Sequence, residues 1–440
     1  MKAPLLLLLG TLGASLNANA QGCGPVGDGT NGAMHCLYTD TIHDHLYCGG
    51  AFTGSGGDPF SHACWWNDTV FNPMGSGTNG DVLCATHHNG NLCMGGSFTQ
   101  AGGSPCTHVA SWDGSTWNPM GAGFNGAVYC MTEYNGNLFC GGDFTMSGTT
   151  PCQHVAMWNG STWVPVGSGC NEAVYAMCVY DGMLCMGGHF EQAGGVTCNG
   201  ICGWDGSIYH PFDSGMSGME HSVNALCLFN GELCAGGSFS NAGGTSCSNV
   251  AQWNGSTWSS LGGGWSAGMD DAIGSLCVYN GSLYCGGSFD DCGGVTAANN
   301  LGVWNGSSWS SIGTGFDGQV RSLAVYNDVL YLGGSFTTAD GTAAANIAQY
   351  TTTTGVRPVA TGVPFGMYPV PANDLVSIVL AELSPNTRIE VVAVSGAVVR
   401  SVRPSGMLVT LDVSSLPEGA YTVTVRSENS IRAQLLVLVH

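Results

Sequence analysis

The residues of this chain with chemical potential are 21 cysteines, 12 histidines and a scatter of carboxylates. Two pairs of cysteines flank short Asx-Gly turns. Around Asp181-Gly182, Cys178 and Cys185 fall opposite each other, and around Asn230-Gly231 so do Cys227 and Cys234. Opposed residues of an antiparallel pair stand roughly 4.5–5.5 Å apart at Cα, within disulfide reach. These four are the disulfide candidates. No C-x-x-C pair occurs; Cys198 and Cys202 are the nearest grouping, so a structural zinc site is not predicted. His62, His108 and His154 recur at equivalent places, where later copies carry Asn249, Asn300 and Asn346. His and Asn share the ability to hydrogen-bond nearby backbone, which predicts a repeated structural role. His87-His88, beside Asn89-Gly90, reads as solvated. A different pattern surrounds Met219, Glu220 and His221, then Trp265, Met269, Asp270 and Asp271, then Asp290 and Asp291. A Trp among carboxylates could stack on a sugar ring or sit beside calcium. No catalytic residue and no cofactor is predicted from these residues, calcium being the one ion they could take.

The elements that must position these residues repeat. Gly-Gly doublets begin at Gly49, Gly95, Gly141, Gly187, Gly236, Gly286 and Gly333, at steps of 46, 46, 46, 49, 50 and 47 residues. A period near 40–50 suits a propeller blade of four strands. In the clearest copy the strands are expected at Val128–Tyr134, Asn137–Phe144, His154–Trp158 and Thr162–Val166. Asn135-Gly136 joins the first two, as a type I′ turn requires. Asn159-Gly160 opens the second tight turn, which also explains Asn-Gly-Ser/Thr without glycosylation. The longer connections share the other end of each blade. Loops on a rigid scaffold usually carry binding residues, so a site is expected there or in the central channel. The seventh copy lacks its last strand after Asn346–Tyr350. Cys23–Gly29 (CGPVGDG) aligns with Trp117–Gly123 (WNPMGAG) and is expected to complete it, removing a free edge. The fold class is therefore all-β: a seven-bladed β-propeller over 21–355, closed by an N-terminal strand and followed by a small β-sandwich.

A Gly-Gly ending the second strand, an aromatic before a tight turn and a Trp after it resemble the kelch-type propellers. The resemblance implies the fold and leaves function open, because propellers host unrelated activities. Ser111-Trp112-Asp113-Gly114-Ser115-Thr116-Trp117 looks like a sialidase Asp-box lacking one residue. Sialidases bind a carboxylate with several Arg, and this region has one. Galactose-oxidase-like copper chemistry would need a Cys-Tyr pair and two converging His, which no motif assembles.

Beyond a linker at 356–365 the repeat vanishes. Short strands are expected at Leu375–Leu380, Arg388–Val394, Met407–Val413, Ala420–Arg426 and Arg432–Val439, a β-sandwich pattern. Tyr368-Pro369-Val370-Pro371-Ala372-Asn373-Asp374, then Ser395-Gly396, then Leu416-Pro417-Glu418-Gly419-Ala420-Tyr421 and the apolar Leu435–Val439 follow in order. Residues 366–440 resemble the type A sorting domain of the Bacteroidota type IX secretion system. That resemblance implies export across the outer membrane, with release or anchoring to surface polysaccharide. It casts Tyr368, Pro369, Pro371, Asn373, Leu416, Pro417, Gly419 and Tyr421 as the sorting motif.

Met1-Lys2, the run Leu5–Leu9 and Ala18-Asn19-Ala20 describe a signal peptide over 1–20. No later apolar run is long enough for a transmembrane helix. Residues 21–355 carry 23 acids against the single cation Arg321, while 356–440 carry six of each sign. Such a surface repels phosphate backbones and excludes nucleic acid as a partner. The partners expected are the type IX machinery and a surface polysaccharide or glycan. The sequence thus reads as a secreted, non-enzymatic binding or adhesion propeller with a carbohydrate or protein ligand. An extracellular enzyme on the same scaffold and a structural surface-layer component are the alternatives.

Overall fold

A computed structural model describes residues 22–41, 43–218, 220–262, 272–351, 366–368, 375–380, 387–393, 398–404, 406–427 and 430–438. It separates into two compact units, Met1–Thr352 and Thr353–His440. Every described regular element is a β-strand.

The first unit contains seven four-stranded antiparallel sheets. The third sheet shows the common plan, with strands Val128–Tyr134, Asn137–Gly142, Val155–Trp158 and Trp163–Pro165 in spatial order. The second strand ends two residues earlier than the sequence pattern suggests. In the first two-residue turn Asn135 and Gly136 both have positive φ, 50° and 74°, as a type I′ turn demands. At the second turn Asn159 Oδ1 accepts from the backbone N–H of Ser161 and Thr162, which fixes the turn by side chain. The seventh sheet is completed by Gly22–Pro25, which pairs with Ile347–Thr351 from Gly22↔Thr351 to Pro25↔Ala348. This strand is shorter than the expected Cys23–Gly29.

No sheet closes into a barrel. Instead, the first strands of the seven sheets touch in cyclic order, from Met34–Asp40 through Val82–His88, Val128–Tyr134, Val174–Tyr180, Ser222–Phe229, Ala272–Tyr279 and Gln319–Tyr326, back to Met34–Asp40. The Gly-Gly doublets make that contact sterically feasible. A Cβ on Gly95 would lie 2.6 Å from Val128 Cγ1 of the next sheet, and a Cβ on Gly333 would lie 2.5 Å from Met34 Cγ of the first. The doublet is therefore a close-approach device. A second device lies at the rim: Trp163 Nε1 donates to the Met120 carbonyl of the preceding sheet at 3.0 Å. Trp117, Trp258 and Trp309 repeat this bond to Met74, Phe212 and Leu261, and the Tyr209 hydroxyl reaches Val166.

The Gly-rich loops between second and third strands are not featureless. Six of them contain a small two-residue ladder, such as Met146–Ser147 with Thr150–Pro151. His62, His108 and His154 occupy left-handed backbone at φ 62°, 65° and 62°, and their Nδ1 atoms lie 2.9–3.2 Å from the carbonyls of Gly50, Gly96 and Gly142. Asn249, Asn300 and Asn346 take the same conformation. His and Asn tolerate this region better than most residues, which explains their interchange.

In the second unit, Gly366–Tyr368, Leu375–Val379 and Leu408–Asp412 form one sheet, and Val398–Val402, Arg388–Ala393, Gly419–Ser427 and Ser430–Leu438 form another. Val376, Ile378 and Leu411 of the first share one buried core with Ile389, Val391, Val423 and Leu436 of the second. The first and fourth of these seven strands were not legible in the sequence.

Candidate functional site

Each of the seven first strands carries a β-bulge at the same place. The residues left without a register partner are His35, Leu83, Tyr129, Tyr175, Asn224, Gly274 and Arg321. A bulge locally ends pairing and re-aims a side chain. All seven are partly buried, and contacts join some neighbours around the cycle. Arg321 Nη1 donates to His35 Nδ1 at 3.0 Å, the Tyr129 and Tyr175 rings meet edge-on at 5.5 Å, and Asn224 Nδ2 donates to the carbonyl beside Gly274. They stand near the start of each first strand, at the end of the sheets that bears the longer connections.

The electrostatics of this ring are mixed. Burial, reinforced by the Arg321 guanidinium, holds His35 below the ordinary imidazole range. The ring is therefore neutral, and Nδ1 can accept. Arg321 also donates Nε–H to Gln319 Oε1, so both hydrogen-bond partners are neutral and its positive charge stays uncompensated by them. Asp81 lies 3.7 Å from His35 Nε2 and 3.4 Å from His62 Nδ1. The Tyr129 hydroxyl donates to Asp143 Oδ2 at 3.1 Å, and burial with that carboxylate pushes it up to about 12. Donors and acceptors thus stand side by side at the His35–Arg321 and Tyr129–Asp143 contacts.

A second constellation lies at the opposite end of the first strands. Asp40 ends the first strand of the first sheet, and its side chain is 1% exposed. Four positions separate it from the next strand, where the other sheets use two. His43 in that turn places Nδ1 2.7 Å from Asp40 Oδ2. His87, from the second sheet, places Nε2 3.2 Å from the same oxygen. The His87 ring stacks on Tyr38 at 5.8 Å, and the His87 backbone N–H donates to the Tyr38 hydroxyl at 3.2 Å. His45 stacks on Trp65 at 3.8 Å, and burial lowers its pKa. The expectation that His87-His88 is solvated is wrong: His88 is 7% exposed and the His87 side chain 13%. The first sheet covers the His87 ring through Tyr38, while His88 faces the other way, its Nδ1 3.6 Å from Glu133 Oε2 of the third sheet. The lengthened turn is what brings this constellation together, at the end of the sheets opposite to where a site was expected. The sequence signal was the run His43-Asp44-His45 in a first turn lacking Asn-Gly.

The residues singled out from sequence are dispersed. Trp265, Asp270 and Asp271 lie outside the described residues. Glu220 is exposed, and the His221 ring lies 5.3 Å from that of His189, tilted by 38°. Asp290 is exposed, and Asp291 Oδ1 accepts from Ala297 N–H within its own loop. Cys178 faces Cys185 and Cys227 faces Cys234 in register. All four are thiols in this structure, and hydrogen bonding within each pair, with burial, pushes Cys185 and Cys227 far up. Cys48 and Cys64, adjacent in register on second and third strands, form a further facing pair that the turn-based reading missed.

In the second unit, Tyr421 is buried and its hydroxyl donates to the Pro417 carbonyl at 2.8 Å, while Leu416 joins the core. This bond ties the Leu-Pro-x-Gly-x-Tyr segment into a corner. Tyr368 ends a strand opposite Ser377, and Pro369, Pro371 and Asn373 lie outside the described residues. Residues 366–438 match the family described as the secretion system C-terminal sorting domain. The protein is exported by type IX secretion to the cell surface or outside the cell. The tail accordingly engages the type IX machinery. No helix among the described residues is long and apolar enough to cross a membrane.

No curated protein matches the chain. Among solved structures, it is similar to the computationally designed Ika8 protein, at 14% identity and TM-score 0.45, over 75% of this chain and all of that one. It is also similar to PorZ, a bacterial surface component of the type IX secretion system of Porphyromonas gingivalis, at 12% identity and TM-score 0.45, over 95% of this chain and 60% of that one. A third is the extracellular domain of the two-component system BT4673 from B. thetaiotaomicron, at 13% identity and TM-score 0.48, over 96% of this chain and 59% of that one.

Proposed function

We propose that this is a surface-displayed carbohydrate-binding protein built on a seven-bladed, kelch-like propeller, with the glycan held at the ring of bulged residues. The observation that carries the reading is that bulged residues of neighbouring sheets meet at two places, Arg321 with His35 and Tyr129 with Tyr175. Vicinal sugar hydroxyls need donors and acceptors side by side. Arg321 and the tyrosine hydroxyls supply donors, and Asp81 and Asp143 supply acceptors. Aromatic edges and faces offer the apolar surface against which sugar C–H groups pack. The cyclic contact of first strands and the Gly333–Met34 approach support seven blades. Export by the sorting tail puts this ring where extracellular glycans are.

A glycan array probed with the purified chain tests the reading, alongside Arg321→Gln and the double variant Tyr129→Ala/Tyr175→Ala. Binding to a restricted glycan set, weakened at least about tenfold by either change, is the expected result; a tenfold loss is about 1.4 kcal/mol. Absence of any glycan binding, or binding that both variants retain, rejects it.

A further inference from the structure

We propose that Asp40, His43 and His87 hold a divalent transition-metal ion of the zinc type, independently of any glycan at the other end of the first strands. Among the described residues this is the group in which one ligand atom from each of three side chains lies within 4.8 Å of the others. Asp40 is buried, His87 is half-buried, and His43 is exposed. The set therefore has a fixed carboxylate at its base and a solvent-facing imidazole at its rim.

The spacing fits a metal. Bonds of about 2.0–2.1 Å at tetrahedral angles place ligand atoms about 3.3 Å apart. Asp40 Oδ2 to His87 Nε2 is 3.2 Å and Asp40 Oδ2 to His43 Nδ1 is 2.7 Å. A small outward turn of the exposed His43 completes the geometry. The donor set chooses the class of ion. Two imidazoles and one carboxylate suit first-row transition metals, whereas calcium and magnesium favour all-oxygen sites.

A second observation points the same way. Both His87 ring nitrogens are buried and make no hydrogen bond, although Nε2 lies close to Asp40 Oδ2. An unsatisfied buried nitrogen costs about 1–3 kcal/mol, and coordination of Nε2 would remove that penalty for one of the two. The ligands are also pre-oriented. Asp40 Oδ1 accepts from the His43 backbone N–H at 3.2 Å, and the His87 ring is fixed against Tyr38. The ligands come from two adjacent sheets, so a bound ion would clamp the first sheet to the second. Three protein ligands leave a fourth position open beside the exposed imidazole, the pattern of a site that can take water or an outside ligand.

The test uses the full chain, stripped with chelator and titrated with zinc and with cobalt(II). One ion per chain is expected, with a cobalt spectrum lacking the thiolate charge-transfer band that the many cysteines would otherwise give. His43→Ala and His87→Gln should each weaken binding at least about tenfold, since even outer-shell changes cost 10–100-fold. His210→Ala is the control. His210 Nε2 sits 2.7 Å from Asp205 Oδ2 in an exposed pair, and its loss should leave binding unchanged. Because His43 lies in an exposed turn, its variant should fold even if that of His87 does not. No stoichiometric ion in the wild type, a thiolate-type cobalt spectrum, or undiminished binding by His43→Ala overturns the proposal.

Discussion

Arg321 Nη1 and His35 Nδ1, 3.0 Å apart, join the seventh sheet to the first. Because arginine can only donate, His35 must accept, and the ring is neutral in the folded chain. Its folded pKa lies below the unfolded value, through burial and then the guanidinium. Above the unfolded value of about 6.5 both states are neutral and the residue contributes no pH dependence. As pH falls below it, the unfolded chain takes up the proton first, so folding stability drops. Denaturant unfolding at pH 7.5 and at pH 5 should therefore show a loss that His35→Asn reduces. An identical loss in the variant would disprove this linkage.

Trp163 is 2% exposed and its Nε1 bonds across sheets to the Met120 carbonyl. Trp163→Ala should cost about 3–5 kcal/mol through the cavity it leaves. Trp163→Phe keeps most of the ring but strands the carbonyl, at about 1–3 kcal/mol. Urea unfolding of both variants would check the order, and a phenylalanine as costly as alanine would show that packing alone matters.

Gly22–Pro25 covers the open edge of Ile347–Thr351. Deleting residues 22–25 should expose that edge to pairing with other chains. A lower melting temperature and concentration-dependent association in size-exclusion chromatography are expected. A monomer of unchanged stability would mean the strand is dispensable.

Cys178 and Cys185, and Cys227 and Cys234, face each other on adjacent strands. In the oxidising exterior to which the chain is exported, facing pairs are the ones able to close. Thiol counting on the exported, denatured chain should find at least four fewer reactive groups than the 21 encoded. Peptide mapping should join these partners. A full complement of thiols would show that burial protects them reduced.

Local signals were legible wherever they act within a few residues. Asn135-Gly136 announced a type I′ turn because only αL-tolerant residues fit it. The doubled glycines gave the period, and the Leu416–Tyr421 segment announced the tail. The reason for the doublet was not legible, since Gly95 is small to admit Val128 from another sheet. The candidate sites were hidden for the same reason. His87 looked like a turn-side surface residue until the neighbouring sheet covered it.

What the sequence determined by itself is the repeat, the strand and turn grammar of each copy, the missing strand of the seventh and the export tail. These follow from period, turn chemistry and alternation, all of which are local. Only the tertiary structure decided which side chains meet. A bulge repeated seven times leaves His35, Tyr129, Tyr175 and Arg321 out of register, where Arg321 meets His35 and Tyr129 meets Tyr175 across sheets. A turn two residues longer brings Asp40 and His43 to His87, more than 40 positions away in the chain. Such contacts depend on how whole sheets approach one another, and no short pattern in the sequence encodes that distance.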